Sequence, residues 1–348
     1  MKQNKGDLRL VIAGLGLIGK RHAQAIAATE GVTLAAIIDP AKQAQAFTRQ
    51  FDIAYFADLA DMFQAMQPDG VILATPTPLH HAQALLVITQ SCPVLIEKPL
   101  AVNVAQAQEL ADASQASGVP VLVGYHRRHN PLIAKAHALI TDGVIGAIRA
   151  IHATCWFYKP DHYFDEAPWR KKAGAGPISV NLIHDIDLIR YLCGDIIALQ
   201  AQTTASDRGY ENEDTAAILL RFANSALGTV TLSDAIASPW SWEFGAGENP
   251  AYPNTKQGSY LIGGSTGSLS VPDLTLWRHS HAPDWWTPMD PYPQSVEASD
   301  PLINQIAHFA AVIRGQDVPR NTAAESVKNI VVMEAISASA QNNMIVTL

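Results

Sequence analysis

The chain has 348 residues, 48% of them hydrophobic and 16% charged, which is length enough for two domains and apolar content enough for a large core. No apolar run approaches the roughly 20 residues of a spanning helix, which argues against a membrane protein. A formal net charge of −8, with no long run of Lys or Arg to offset it, argues against nucleic acid as a partner.

Cys92, Cys155 and Cys193 are odd in number and widely spaced, with no Cys-x-x-Cys pair. That pattern fits free thiols in a reducing, cytoplasmic compartment and supplies no metal site. Lys2 and Lys5 ahead of the apolar stretch Leu10–Ile18, with Ala25-Ile26-Ala27 beyond it, have the outline of a secretory signal. Glycines at functional spacing interrupt that stretch, so it is expected to be retained as the first strand and a phosphate loop.

From there to about Tyr125, short β-rich runs alternate with Ala/Gln-rich helical segments, the pattern of parallel βαβ units. The strands expected are Leu8–Ala13, Thr33–Ile38, a weaker Ala54–Phe56, Gly70–Ala74, Val94–Ile96 and Val119–Gly124. Helices are expected at Gly19–Ala28, Pro78–Thr89 and Asn103–Ser117, where apolar residues recur at three- and four-residue spacing. A doubly wound parallel sheet follows.

Asn130-Pro131 opens a further helix, and beyond it the texture changes. Ala147–Phe157, Ile196–Ser206, Thr215–Phe222 and Ser225–Ser233 are long strands with polar residues at alternate positions, as in an antiparallel sheet with one covered and one open face. The stretch from Ser238 to Ser299 is rich in Pro, Gly and Trp without a clear period, with strands expected only at Ser259–Gly263 and Ser268–Val271. Leu302–Arg314 and Ala323–Ala340 read as amphipathic helices, and Met344–Leu348 as a last strand. The expected division is a nucleotide-binding domain over 1–126 and an α+β domain over 127–348. The C-terminal helix, about 322–340, is a candidate to pack back on the first domain.

The segment Gly14-Leu15-Gly16-Leu17-Ile18-Gly19 is a GxGxxG placed directly between an expected strand and an expected helix. Gly14 would permit a tight turn, Gly16 the close approach of a pyrophosphate and Gly19 the packing of helix on strand. The phosphate would sit at the helix N-terminus, beside Leu17 and Ile18. A glycine turn alone also occurs in α/β proteins that bind no nucleotide. Here Asp39 lies 20 residues beyond Gly19, at the end of the second strand, where a carboxylate accepts hydrogen bonds from the adenosine ribose. It would repel a 2′-phosphate, and only Lys42 stands nearby to attract one, so NAD is expected over NADP.

Three further segments carry a family resemblance. Ala74-Thr75-Pro76-Thr77-Pro78-Leu79-His80, the tripeptide Glu97-Lys98-Pro99, and Gly176–Asp187 with its His184-x-x-Asp187 resemble the Gfo/Idh/MocA oxidoreductases, and the resemblance extends over essentially the whole chain. It implies a Rossmann domain joined to an open-faced sheet domain, and a dehydrogenase or reductase acting on a secondary alcohol or ketone of a sugar, cyclitol or related polyhydroxy compound. Lys98 and His184 become the candidate catalytic pair. Oxidising a CH–OH group needs a base for the hydroxyl proton, which suits His184, and a cation or proton relay for the developing oxyanion, which suits Lys98. Glu97 would orient or charge-balance Lys98, and Thr75, Pro76, Thr77, His80, Glu97, Lys98, Trp169 and Arg170 are candidates to face the cofactor.

Asn181, His184 and Asp187, three residues apart on a helix, would share one face toward substrate, with Asp185 rotated away. The chain departs from the commonest family pattern at Val180, where many members place an Asp. That puts a polyol contact in doubt, and Asn181 is a partial replacement. Arg128, Tyr158 and Tyr163 are further candidate substrate contacts, against the plainer alternatives of a salt bridge for the arginine and sheet packing for the aromatics. Trp285-Trp286 reads as an oligomer contact or loop anchor. The open sheet face predicts a homodimer or homotetramer. Two rival functions stay open: an NAD-dependent glycoside hydrolase of the same fold, and a non-catalytic nucleotide-sensing regulator.

Overall fold

A computed structural model describes residues 6–51 and 53–348. Lys2 and Lys5, the basic flank of the signal-like segment, lie outside the described residues; Leu10, Val11, Ile12 and Ala13 of that segment are buried strand residues.

In chain order the first elements are β1 (Leu8–Ala13), α1 (Leu17–Ala28), β2 (Val32–Ile38), α2 (Lys42–Phe51), β3 (Ala54–Phe56), α3 (Leu59–Ala65), β4 (Gly70–Leu73), α4 (Thr77–Thr89), β5 (Val94–Ile96), α5 (Val104–Ser117) and β6 (Val121–Val123). The six strands form one sheet in the order β3-β2-β1-β4-β5-β6, all parallel. Such strands are buried on both faces and read as continuous apolar runs, as Val71-Ile72-Leu73 and Val94-Leu95-Ile96 do. The strand order reverses between β1 and β4, and the crevice at that switch point is where an open α/β sheet takes its ligand. Helix starts follow local rules: Asp58 and Asn103 accept from the N–H groups of Asp61 and Gln106, capping α3 and α5.

The remaining elements are α6 (Pro131–Thr141), β7 (Ile148–Trp156), α7 (Asp161–Asp165), α8 (Ile183–Cys193), β8 (Ile196–Ala205), β9 (Glu213–Phe222), β10 (Leu227–Ser233), α9 (Trp242–Gly245), β11 (Tyr260–Gly264), β12 (Gly267–Val271), β13 (Thr275–His279), β14 (Met289–Pro293), α10 (Pro301–Ile313), α11 (Ala323–Asn342) and β15 (Val346–Thr347). The strands from β7 onward make a nine-stranded sheet, β14-β13-β12-β11-β7-β10-β9-β8-β15. Its pairs are antiparallel except β7 with β10, which is parallel. In β9 the alternation is strict: Ala216, Ile218, Leu220 and Phe222 are buried while Ala217, Leu219 and Arg221 face out. The inward set packs with Ile133 and Leu139 of α6 and Ile186 and Ile189 of α8 in one apolar cluster.

Two compact units result: residues 1–129 with 299–330, and 130–298 with 331–348. These units differ from the expected division in joining 299–330 to the first. The segment carrying α10 joins the first unit because its apolar stripe, Leu302, Ile306 and Phe309, packs in one cluster with Ile26 of α1 and Leu10, Ile12 and Ile37 of the parallel sheet. A backbone bond from Val123 to the Asn321 carbonyl, 2.9 Å, ties the start of α11 to the same unit. The helix therefore belongs to the first unit through Ile330 and to the second from Val331. β13 and β14 were not expected from sequence, because Pro291 and Pro293 read as loop; edge strands tolerate proline, and β14 is an edge. The last strand is shorter than expected and pairs Val346 with Leu199 of β8.

Candidate active site

The glycine loop borders a cavity lined by residues of the first unit. This cavity, of about 920 Å³, opens at the carboxyl ends of β1, β2 and β4, lined by Gly14, Gly16, Asp39, Asp58, Thr75 and Pro76 among others. Gly14 has φ +91°, and a Cβ there would stand 2.5 Å from the Ala74 carbonyl oxygen, so only glycine makes this turn. A Cβ on Gly19 would meet the Gly14 carbonyl oxygen at 2.0 Å, the closest helix-to-loop approach in the motif. Gly16 is different: a Cβ there would meet no protein atom within 4 Å. It caps α1, and no side chain takes up the helix's first N–H groups. Leu17 is exposed and Ile18 half-buried. An uncapped helix start of this kind, open to a cleft, suits a pyrophosphate.

The Asp39 carboxylate accepts from Leu15 N–H at 2.7 Å and Ala41 N–H at 2.8 Å. Tyr55 of β3 donates to the Asp39 carbonyl at 2.9 Å, fixing the acid at the cleft rim. The Thr75 hydroxyl donates to Gln83 at 2.6 Å, and Thr77 starts α4. These residues fit a dinucleotide.

His80 is held by backbone. It is buried, with Nδ1 2.9 Å from the Pro99 carbonyl and Nε2 2.8 Å from the Thr75 carbonyl. Both ring nitrogens are engaged by backbone, so His80 ties the β4 and β5 loops together. Glu97 is also buried, and its Oε1 lies 2.7 Å from Nε2 of His22, a residue of α1 that has no exposed surface. Lys98 N–H donates to the other carboxylate oxygen at 3.2 Å. Burial pushes the Glu97 carboxyl up, but the His22 hydrogen bond and the charges of His22, His126 and Lys98 prevail and hold it below the usual range. The Lys98-Pro99 bond is cis, and Lys98 itself is half-buried. Arg128, expected at substrate, is buried in the first unit with its guanidinium on the Arg320 carbonyl at 3.3 Å.

In the second unit, one π-helical turn, Ile178–Leu182, precedes α8. It corrects the single-face arrangement: Asn181 sits in the wider turn, so three-residue spacing carries from His184 to Asp187 but not back to Asn181. All three are buried. Asp185, expected to point away, is buried and accepts the Tyr260 hydroxyl of β11. The turn is fixed by Glu213 of β9, which accepts from Ile178 N–H at 3.1 Å. Burial raises the Glu213 pKa, with the bonds from its own and the Ile178 N–H opposing.

Tyr163 is half-buried beneath Arg170, whose guanidinium lies 3.9 Å from the ring centroid, while Trp169 and Tyr158 are exposed. Trp156 packs edge-on against Trp240. Beside Tyr163 is a buried group that charge patterning did not reveal: Lys159 lies 3.7 Å from Asp234, which also takes Arg208 at 2.8 Å. Burial dominates both ends, lowering the lysine and raising the acid. His22 and Tyr260 were missed for the same reason. A polar side chain buried against a charge far away in sequence leaves no periodic signal. Trp285 and Trp286 are 93% and 87% exposed, with their ring centroids 6.5 Å apart. Among the described residues no cluster of His, Cys, Asp or Glu could hold a metal ion, and no helix is long and apolar enough to cross a membrane.

Comparison with known proteins agrees with this geometry. Residues 8–125 match the model of the oxidoreductase family with NAD-binding Rossmann fold, and 133–270 match the GFO/IDH/MocA C-terminal domain. The chain is 25% identical to D-apiose dehydrogenase of Paraburkholderia graminis over 100% of its own length and 90% of that protein. It is 26% identical to scyllo-inositol 2-dehydrogenase (NAD(+)) of Bacillus subtilis, covering 98% and 96%. Among solved structures, the WlbA dehydrogenase from Bordetella pertussis, in complex with NADH and UDP-GlcNAcA, superposes with a TM-score of 0.78 at 25% identity, covering 98% and 99% of the two chains. The chain therefore belongs to the Gfo/Idh/MocA family of NAD-binding oxidoreductases.

Proposed function

We propose that the protein is an NAD-dependent dehydrogenase that oxidises a secondary alcohol of a sugar, cyclitol or related polyhydroxy compound, or reduces the matching ketone. The observation that carries this reading is the gathering of the glycine loop, Asp39, Thr75 and the Glu97–Pro99 turn at the carboxyl ends of one parallel sheet. NAD, when bound, supplies the hydride acceptor. The Leu17 and Ile18 end of α1 holds its pyrophosphate and Asp39 its adenosine ribose, which also disfavours a 2′-phosphate.

His184 takes the hydroxyl proton, and the Lys98 ammonium stabilises the oxygen as negative charge develops on it. Asn181, Asp187, Tyr158 and Tyr163 contact substrate, and Trp169 and Arg170 the cofactor. The relatives named for apiose and inositol support a polyhydroxy substrate. The outward apolar residues Leu219, Leu227, Leu261 and Trp277 support self-association through the sheet face, as dimer or tetramer. Cys92, Cys155 and Cys193 are buried and form no disulfide, which is consistent with a reducing compartment.

The test is NADH formation with inositols, aldoses and sugar acids, in wild type and in Lys98→Ala and His184→Ala. Turnover of at least one compound, lost by about 10²-fold or more in each variant, is expected. NADH binding with no turnover of any compound would overturn the reading.

A further inference from the structure

Under the Lys98 turn the structure holds a charge pair that the reaction does not call for directly. Glu97 leaves β5 with its N–H bonded to the Leu73 carbonyl at 2.9 Å, and its carboxylate turns inward instead of toward the cleft. One oxygen meets Nε2 of His22 at 2.7 Å; the other accepts from the Lys98 N–H at 3.2 Å. The space is made by Gly124 at the end of β6, where a Cβ would stand 2.9 Å from the carboxylate. Glycine is needed there for room and not for backbone freedom. His22 is fully buried on α1, three residues beyond Gly19. Nδ1 of His22 has no hydrogen-bond partner among the described residues, so Nε2 is the ring nitrogen that holds the carboxylate.

Burying a carboxylate is costly unless it is bonded and charge-balanced. The groups that face this one are His22 from α1, Lys98 from its own turn and His126 beyond β6. Attraction between a carboxylate and an ammonium favours the charged form of both.

We propose that His22 and Glu97 form a positioning pair for Lys98, through which the helix that seats the pyrophosphate also sets the orientation and charge of the lysine. This deepens the functional reading above and rests on it for the role of Lys98. His22 touches neither substrate nor cofactor; it acts through Glu97.

The test reads the lysine directly. Purified full-length protein is labelled with acetic anhydride across a pH series, and modification of Lys98 is followed by peptide mass spectrometry. Wild type, Glu97→Gln, His22→Leu and His22→Gln are compared, with NADH binding and thermal unfolding recorded for each. The Lys98 midpoint is expected to fall by about one pH unit, tenfold in the proton equilibrium, in Glu97→Gln and His22→Leu. It should be restored in His22→Gln, whose amide N–H stands in for Nε2–H, while NADH affinity changes less than about threefold. Where His22→Leu does not fold, Glu97→Gln and His22→Gln give the same comparison. A midpoint equal to wild type in Glu97→Gln overturns the proposal, as does failure of His22→Gln to restore it. Lys98→Ala separates the two readings. Undiminished turnover in that variant removes the catalytic role of Lys98 and leaves the labelling result standing, whereas lost turnover with unmoved midpoints removes only the pair.

Discussion

Gly16 and Gly19 bracket the first turn of α1, and alanine meets opposite surroundings at the two positions. At Gly16, φ is −68°, a value any residue adopts, and the added methyl would find no protein atom within 4 Å. Nothing in the folded chain resists the change, so stability should stay within about 0.5 kcal/mol, or about 2 °C in Tm. The methyl would, however, stand where a pyrophosphate must approach the backbone, and NADH binding should weaken by about tenfold or more, roughly 1.4 kcal/mol. At Gly19 the methyl would sit 2.0 Å from the Gly14 carbonyl oxygen, where ordinary contact begins at 3.4 Å. The helix start must move by more than about 1 Å, at a cost of about 1–3 kcal/mol in stability and a larger loss of binding. The assay is NADH fluorescence titration beside thermal unfolding. Wild-type NADH affinity in Gly16→Ala would refute the assignment of this loop to the cofactor, because no folding defect can hide the effect.

Four further outcomes are expected. His129 Nε2 lies 2.9 Å from His308 Nδ1, and His308 Nε2 2.9 Å from the Val318 carbonyl. Burial, then the neighbouring charges, lowers His129 well below its ordinary value; burial also lowers His308. Because the unfolded chain takes these protons first, stability is full above about pH 6.5 and falls below it, by up to about 1.4 kcal/mol per pH unit for each histidine. His129→Gln should flatten the acid limb of Tm against pH, and an unchanged limb would count against it. Tyr260→Phe removes a hydroxyl from the buried Asp185 and should cost about 1–3 kcal/mol in thermal or denaturant unfolding; a change below 0.5 kcal/mol would contradict this. Gly124→Ala should lower Tm by overpacking the Glu97 carboxylate, about 1–3 kcal/mol. Leu219→Asp with Leu261→Asp should abolish self-association in analytical ultracentrifugation, and an unchanged assembly would exclude this sheet face.

The parallel half of the molecule was legible because period and punctuation coincide there: β-rich runs end at glycine or proline, and GxGxxG with Asp39 falls at the strand ends. The nine-stranded sheet was legible where alternation is strict, as in β9, and lost where Pro291 and Pro293 occupy an edge strand. An amphipathic stripe such as Leu302-Ile306-Phe309 records that a helix is covered, not which sheet covers it. Site residues divide in the same way. Gly14, Gly16, Asp39 and Thr75 line one cleft as their motif implies. His80, Glu97 and Arg128 were drawn toward ligand by sequence position, but their polar atoms bond backbone or a buried partner, which no local pattern encodes. The π turn under Asn181 likewise needs the Glu213 contact, 35 residues away, to be understood.

The central claim is hydride transfer from a substrate carbon to NAD. It is tested most directly with a polyol from the active set deuterated at the reacting carbon, following deuterium by mass spectrometry of the nicotinamide. Deuterium is expected in the reduced cofactor, in step with ketone formation, and none in Lys98→Ala or His184→Ala. Conversion of the polyol with no deuterium on the nicotinamide would contradict it.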